Sequence, residues 1–176
     1  MLKNKAEGNA ITRLRHSEVR YEVTDHCNAE CIMCPRDQHK LARPHGIMDT
    51  KKYQRSIDEV AELGCKQVVL TGFGEPLVDK RLEDKIAYAK GKEMRTYVIS
   101  NASLLTKKRS ESIINAGLDE LRISYYGMRK ETYETVMVGL NFDVTMRNLS
   151  DFLNNREKLG SKRPRLELSW LILPEN

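Results

Sequence analysis

Residues 24–36 of the chain read Thr24-Asp25-His26-Cys27-Asn28-Ala29-Glu30-Cys31-Ile32-Met33-Cys34-Pro35-Arg36. They follow Val19, Tyr21 and Val23, whose alternation with polar neighbours predicts a β-strand. Three cysteines with Cys-x3-Cys-x2-Cys spacing therefore lie in one tight loop at the carboxyl end of a strand. This stretch decides the fold, because the strand that precedes it is the first member of a repeated strand–helix pattern.

The three cysteines of this loop, Cys27, Cys31 and Cys34, indicate a metal site. Thiolate is the soft ligand that selects iron–sulfur clusters, copper(I) or zinc. Three thiolates on one loop can hold three corners of a cubane [4Fe–4S] cluster and leave the fourth iron free to coordinate another molecule. A disulfide framework is disfavoured, since three of the four cysteines crowd one loop and the chain shows no signal-peptide pattern.

A structural zinc site remains open as an alternative. Zinc takes four ligands, usually from paired Cys or His knuckles, and the candidates for a fourth ligand are His26, His39, His45 and Cys65. The sequence has no second Cys-x2-Cys pair and no His-x3-His pair. His26 is also a candidate for tuning a bound cluster through a hydrogen bond, whereas Cys65 is expected to be a small buried residue.

The composition indicates which kinds of protein this chain can be. The 176 residues are 40% hydrophobic and 31% charged, which is typical of a globular domain with a proper core. No apolar run approaches the roughly 20 residues of a membrane span, so we expect no membrane partner and a cytoplasmic location. The net charge of +5 is scattered among acidic residues, which disfavours nucleic-acid binding. Residues 1–17 are predicted to be a basic leader and residues 18–176 the core domain.

Strands and helices alternate along the rest of the chain. The predicted strands are Glu18–Val23, Gln67–Leu70, Arg95–Ser100, Glu120–Tyr125 and Arg165–Leu173. Helices are predicted from Asp49 or Thr50 to Gly64, up to Gly91, from Thr106 to Gly117, and over 130–136 and 143–158, with an irregular stretch at 37–47. This order predicts the α/β class with a parallel sheet. Functional residues of such sheets gather at the carboxyl ends of the strands.

A second candidate site, Gly72-Phe73-Gly74-Glu75-Pro76, follows the second predicted strand. Its glycines let backbone groups approach a ligand without a Cβ atom in the way. Glu75 supplies an acceptor for an ammonium group. The topology brings this loop to the same edge of the sheet as the cysteine loop.

These two loops together resemble the radical S-adenosylmethionine (radical SAM) superfamily. The resemblance implies that Cys27, Cys31 and Cys34 bind a [4Fe–4S] cluster whose open iron is chelated by the amino and carboxylate groups of S-adenosylmethionine. It implies that the residue at Met33 lies near the adenine. The loop at Gly72 resembles the family's Gly-Gly-Glu-Pro motif, which binds the amino group of S-adenosylmethionine.

The match to that glycine motif is imperfect, because Phe73 stands at or beside the position of one of its glycines, whereas Gly74 and Glu75 match. Ser100 and Asn101 end the third strand where many relatives have Thr-Asn-Gly. Ser124 stands where relatives carry a Ser or Asp that contacts the ribose or the methionine carboxylate.

One further segment narrows the resemblance to a branch of the family. Residues 131–142 resemble a segment of the peptide- and sugar-modifying branch that carries a SPASM extension, in which an arginine usually stands near Met137. The resemblance implies an open (β/α)6 partial barrel, of which five βα units are recognised here. We therefore expect a core domain that is truncated at its carboxyl end.

The implied activity is that of a radical enzyme with no catalytic residue beyond the cluster ligands. A reduced cluster cleaves S-adenosylmethionine to a 5′-deoxyadenosyl radical, which abstracts hydrogen from a substrate. The branch favours a peptide, protein or sugar derivative as substrate, and the electron donor is expected to be a flavodoxin or ferredoxin. Two alternatives remain open, namely a non-catalytic iron–sulfur or S-adenosylmethionine-binding module and a zinc-stabilised interaction domain.

Overall fold

The computed structural model describes residues 17–38 and 44–174, and their centre is a five-stranded sheet. The strands are β1 (Glu18–Tyr21), β2 (Gln67–Leu70), β3 (Arg95–Ser100), β4 (Glu120–Ser124) and β5 (Arg165–Ser169). They pair in the order of the chain, and every pair is parallel. The predicted α/β class with a parallel sheet is confirmed.

Helices connect these strands in the predicted places. They are α1 (Pro35–Gln38), α2 (Thr50–Glu62), α3 (Leu82–Gly91), α4 (Lys107–Asn115), α5 (Lys130–Val136) and α6 (Phe142–Lys158), with a 3-10 turn at Pro76–Val78. The Asp49 carboxylate caps α2 and the Thr106 hydroxyl caps α4. Helix α1 was not predicted. It begins at Pro35, whose fixed φ suits the first position of a helix.

Three strands end earlier than the alternation of their side chains predicts, and the difference is largest in β5. This strand ends at Ser169, four residues before Leu173. Its last ladder bond runs from Tyr125 N to Ser169 O at 3.0 Å. The segment that leaves β4 then passes close to α5 at Gly127, where a Cβ atom would lie 2.4 Å from the backbone nitrogen of Tyr133. Beyond Ser169, β5 has therefore lost its neighbour β4.

The hydrophobic core lies between one face of the sheet and the surrounding helices. Alternate strand residues such as Val98, Leu121 and Ile123 are fully buried there. Cys65 belongs to this core, and its thiol donates a hydrogen bond to Gln67 O at 3.4 Å. The prediction that Cys65 is a small buried residue is confirmed.

The opposite face of the sheet carries ion pairs between neighbouring strands. In the register of β4 and β5, Arg122 lies opposite Glu167, and Glu120 lies opposite Arg165. The paired side chains are 2.8 and 2.5 Å apart, and Glu120 also contacts Arg95 of β3. Opposite charges facing each other across strands favour this register over a shifted one.

Two further expectations concern the ends of the chain and the membrane. The predicted leader, residues 1–17, lies outside the described residues apart from Ser17, so the proposed domain boundary stays a prediction. Within residues 17–38 and 44–174, none of the helices combines the length and the apolar character that crossing a membrane requires.

Candidate cofactor site

The predicted site residues converge on one cavity of about 250 Å³ at the carboxyl ends of the strands. All three cysteines of the loop line it. Seven of the eight predicted cofactor-binding residues line it as well, namely Met33, Gly72, Gly74, Glu75, Ser100, Asn101 and Ser124. The exception is Phe73, which does not line the cavity and is 43% exposed. Loops that follow four successive strands thus meet at one place.

The cysteine loop is fixed by its own backbone. Cys34 N donates to Cys31 O at 2.9 Å, which closes a tight turn between two of the thiols. Glu30 and Ile32 donate their N–H groups to carbonyl oxygens of residues 136–138, at 2.8 and 3.1 Å. The loop is therefore docked along the end of α5 and the residues that follow it, and its three cysteines line the cavity.

The stem of this loop is held by the segment before α2. Thr24 forms an isolated antiparallel bridge with Ile47. His45 Nδ1 lies 3.2 Å from the buried carboxylate of Asp25, and the rings of His45 and His26 are 5.8 Å apart. Neither histidine lines the cavity. The tuning role considered for His26 stays a prediction.

Gly74 makes the close contact between the two loops possible. A Cβ atom at Gly74 would lie 2.3 Å from Thr24 O and 2.6 Å from His26 O. The next residue, Glu75, donates its N–H to His26 O at 2.9 Å. The missing side chain thus makes room for the backbone of the cysteine loop, in addition to any room it leaves for a ligand.

Phe73 fits this loop because its side chain turns outward. Its N–H donates to Glu22 Oε1 at 2.8 Å. A Cβ atom at Gly72 would lie 2.4 Å from Glu22 Cγ. Gly72 is therefore the position of this pair at which a side chain would clash, which explains how the loop tolerates phenylalanine at position 73.

Glu75 connects the glycine-rich loop to the end of β3. Its side chain is only 2% exposed. Oε1 accepts hydrogen bonds from Leu77 N (3.0 Å) and Ser100 Oγ (2.7 Å), and Oε2 accepts one from Asn101 N (2.7 Å). Burial raises the pKa of this carboxyl, and the three donors act in the opposite direction. The structure thus gives Glu75 a structural role, and its role as an acceptor for an ammonium group stays a prediction.

Four ligands for a single zinc ion are not brought together among the described residues. Among the residues described, no three His, Cys, Asp or Glu side chains converge on a point where they could share one metal ion. In a cubane each cysteine binds a different iron, so convergence is not required, whereas zinc needs four ligands around one ion. Cys65 precedes β2, at the opposite edge of the sheet, and His45 pairs with Asp25. His39 lies outside the described residues.

The environment of Cys27 favours its neutral thiol as long as no metal is bound. Burial raises the pKa of Cys27, and a hydrogen bond from the backbone of Ala29 opposes this shift. Metal binding requires the thiolate, and a bound cation deprotonates a coordinating thiol outright.

Six lining residues were not assigned to the site from the sequence, namely Ala29, Pro35, Thr71, Ile99, Tyr126 and Met137. Tyr126 lines the cavity two residues after Ser124, and the alternation of side chains along a strand was the available signal. Its neighbour Tyr125 packs against rings that include Tyr133, and Tyr126 itself also packs against the hydrophobic core. Met137 lines the cavity where the resemblance places an arginine, so an apolar wall stands in place of a polar contact.

The site and the fold agree with the family comparison. The sequence profile of the Radical SAM superfamily matches residues 21–157, which is most of the chain. The chain belongs to this superfamily. The cofactors of the superfamily are a [4Fe–4S] cluster and S-adenosylmethionine, as the resemblance implies.

The matches to individual relatives cover only part of each relative's length. A PqqA peptide cyclase of Granulibacter bethesdensis is 33% identical over 115 residues, covering 65% of this chain and 30% of the relative. A GTP 3′,8-cyclase of Pelotomaculum thermopropionicum is 30% identical over 125 residues, covering 70% of this chain and 38% of the relative. The chain thus spans about a third of the length of these curated relatives.

A solved structure supports the fold. Streptococcus suis SuiB bound to its precursor peptide SuiA superimposes with a TM-score of 0.70 at 15% identity, covering 87% of this chain and 32% of that one. The structure of SuiB bound to S-adenosylmethionine gives a TM-score of 0.69. At this identity the likeness concerns the fold alone.

Proposed function

We propose that this chain carries the radical-generating site of a radical SAM enzyme. The observation that supports the proposal is the single cavity shared by the three thiols and seven further predicted residues. When bound, the reduced cluster supplies the electron that cleaves S-adenosylmethionine into methionine and a 5′-deoxyadenosyl radical, which takes a hydrogen atom from the substrate. The protein supplies position, electrostatics and exclusion of water.

The principal residues of the site have proposed tasks. Cys27, Cys31 and Cys34 hold three irons of the cluster. The backbone at Gly74, fixed by the buried Glu75, receives the amino group of S-adenosylmethionine. Four further lining residues contact the rest of that cofactor, with Ser100, Asn101 and Ser124 at its polar groups and Met33 beside the adenine.

The substrate, the electron donor and the location are proposed at a coarser level. The relatives are named for a peptide and for GTP, and the structural match binds a precursor peptide. We favour a peptide, with a protein or a sugar derivative as alternatives, and a flavodoxin or ferredoxin as the electron donor. The described cysteines are not joined in disulfides, which suits the reducing cytoplasm that we propose as the location.

The test is formation of 5′-deoxyadenosine. The protein is reconstituted anaerobically with iron and sulfide, reduced with dithionite and incubated with S-adenosylmethionine, and the product is quantified by chromatography. We expect product from the wild type and none from a variant with Cys27, Cys31 and Cys34 changed to alanine. Cys65→Ala is the matched control, because it removes a thiol that does not line the cavity and should keep both cluster and product.

Two other outcomes would count against the proposal. A brown protein that binds S-adenosylmethionine but forms no product would favour the non-catalytic binding module. A colourless protein that retains stoichiometric zinc after purification would favour the zinc-stabilised domain.

A further inference from the structure

The turn that follows β3 is the junction between both cofactor loops. On one side, Ser100 Oγ and Asn101 N donate to the carboxylate of Glu75, each at 2.7 Å. On the other side, Asn101 Nδ2 donates to Asn28 Oδ1 at 3.1 Å, and Asn28 Nδ2 donates to Ser103 Oγ at 2.8 Å. Asn28 is the neighbour of Cys27 in the cysteine loop. A displacement of this turn would therefore move the walls of the cavity on two sides.

The turn holds a backbone conformation that is costly for its residue. Ala102 has a φ of +60° and is fully buried. This left-handed conformation is unfavourable for residues with a side chain, and glycine adopts it without that penalty. The family resemblance places glycine at this position, in Thr-Asn-Gly. Such a conformation persists only where the surrounding structure enforces it.

Asn148 of α6 supplies that enforcement. Its Nδ2 donates to Ala102 O at 3.0 Å and to Ser103 O at 2.8 Å, and the residue is only 6% exposed. Both bonds end on carbonyl oxygens of the strained turn. Asn148 does not line the cavity, so it acts on the site through the turn alone.

We propose that Asn148 is a positioning residue of the S-adenosylmethionine site. It holds Ala102 in the left-handed conformation, which presents Ser100 and Asn101 to Glu75 and Asn101 to Asn28. This inference rests on the proposed function and extends it to a residue of the outer helical layer. A loss of the Asn148 amide is expected to weaken S-adenosylmethionine binding while the cysteine loop keeps its cluster.

Helix α6 offers a matched control seven residues further on. Asn155 is also 6% exposed. Its Nδ2 also donates two hydrogen bonds, to Lys107 O and Ser110 Oγ, both at 2.7 Å. These partners lie at the beginning of α4, and none of them lines the cavity. The two asparagines therefore differ in what they hold and not in burial or in number of bonds.

The experiment compares Asn148→Leu with Asn155→Leu in the anaerobically reconstituted full chain. Iron content, the midpoint of urea unfolding and the Kd for S-adenosylmethionine are measured, together with the change that S-adenosylmethionine causes in the electron paramagnetic resonance spectrum of the reduced cluster. We expect both variants to lower the unfolding midpoint. Only Asn148→Leu should raise the Kd, by about tenfold, and diminish the spectral change, as loss of an outer partner of a metal site typically does.

Equal Kd values for the two variants would overturn the inference, because Asn148 would then contribute to stability alone. A wild type that holds a cluster but gives no response to S-adenosylmethionine would overturn the proposed function together with this inference. If either leucine variant does not fold, Asn148→Ala and Asn155→Ala form a second pair, which removes the same amides without adding a large apolar group. The same difference in Kd is then required.

Discussion

At Gly74, a side chain of any size would occupy space that the cysteine loop already fills. We expect Gly74→Ala to destabilise the protein by about 1–3 kcal/mol, as overpacking of a rigid contact does, and to abolish the response to S-adenosylmethionine. Gly91→Ala is the matched control, since a Cβ atom there would meet no neighbour within 4 Å and the residue ends a helix. Urea unfolding and S-adenosylmethionine titration measure the two effects.

The contrary result is also informative at this position. If Gly74→Ala kept the stability and the S-adenosylmethionine affinity of the wild type, the contact between Gly74 and the carbonyl oxygens of Thr24 and His26 would not be needed. Gly91→Ala should stay within about 1 kcal/mol of the wild type, because alanine is the better helix former.

Single residues divide into those that the sequence identifies and those that it hides. The cysteines and Gly74 are visible because their spacing within a short stretch already implies the chemistry. Asn148 is hidden, because its meaning depends on a turn 45 residues earlier in the chain. The partners of Glu75 are hidden for the same reason, since Ser100 and Asn101 reach it only once β2 and β3 lie side by side.

At the scale of elements, helix α3 is anchored to the glycine-rich loop by a buried ion pair. Lys85 Nζ lies 2.6 Å from Asp79 Oδ2, and both side chains are buried. Asp79 ends the 3-10 turn that begins after Glu75. We expect Lys85→Met to destabilise the protein by about 3–5 kcal/mol, because it leaves an uncompensated buried carboxylate. The free energy of unfolding from urea titration measures this cost.

A second variant isolates the charge as the cause. Adding Asp79→Asn to Lys85→Met removes the unpaired carboxylate, so the double variant should be more stable than the single one. A double variant that is less stable by the sum of both single effects would show that the two residues do not act as a pair.

The elements themselves were predictable wherever their pattern is local. Short apolar runs, alternating with polar residues in the first and last of them, identified all five strands, and the Asp49 and Thr106 caps marked the beginnings of two helices. The end of β5 was not predictable, because the strand stops where β4 stops pairing with it. Helix α1 has only four residues, too few to show a helical period.

At the scale of the whole molecule, β5 leaves an edge of the sheet uncovered in the part of the chain that the structure describes. There it pairs with β4 alone, and its Leu168 is 57% exposed. Exposed apolar edge strands promote association between chains. We expect Leu168→Lys to reduce concentration-dependent self-association in sedimentation velocity. Met128→Lys is the control, since it adds the same charge at a residue that is 74% exposed and lies outside the strands.

Equal sedimentation of the Leu168→Lys and Met128→Lys variants would mean that net charge, and not the edge of β5, controls the association.

The fold class and the order of the strands follow from the sequence at this scale. The ion pairs between β3, β4 and β5 could not be predicted from the sequence, because the pairing of Arg122 with Glu167 depends on the register of two strands about 40 residues apart.

The spread of the cavity lining along the chain has a consequence for synthesis. The last thiol of the loop is Cys34, and the lining is complete only at Met137, roughly a hundred residues later. At a translation rate of about 5–20 residues per second, the interval between the two lasts on the order of 5–20 seconds. During that interval the nascent chain carries three neighbouring cysteines without the residues that later complete the cavity, so these thiols are more exposed to oxidation during synthesis than after folding.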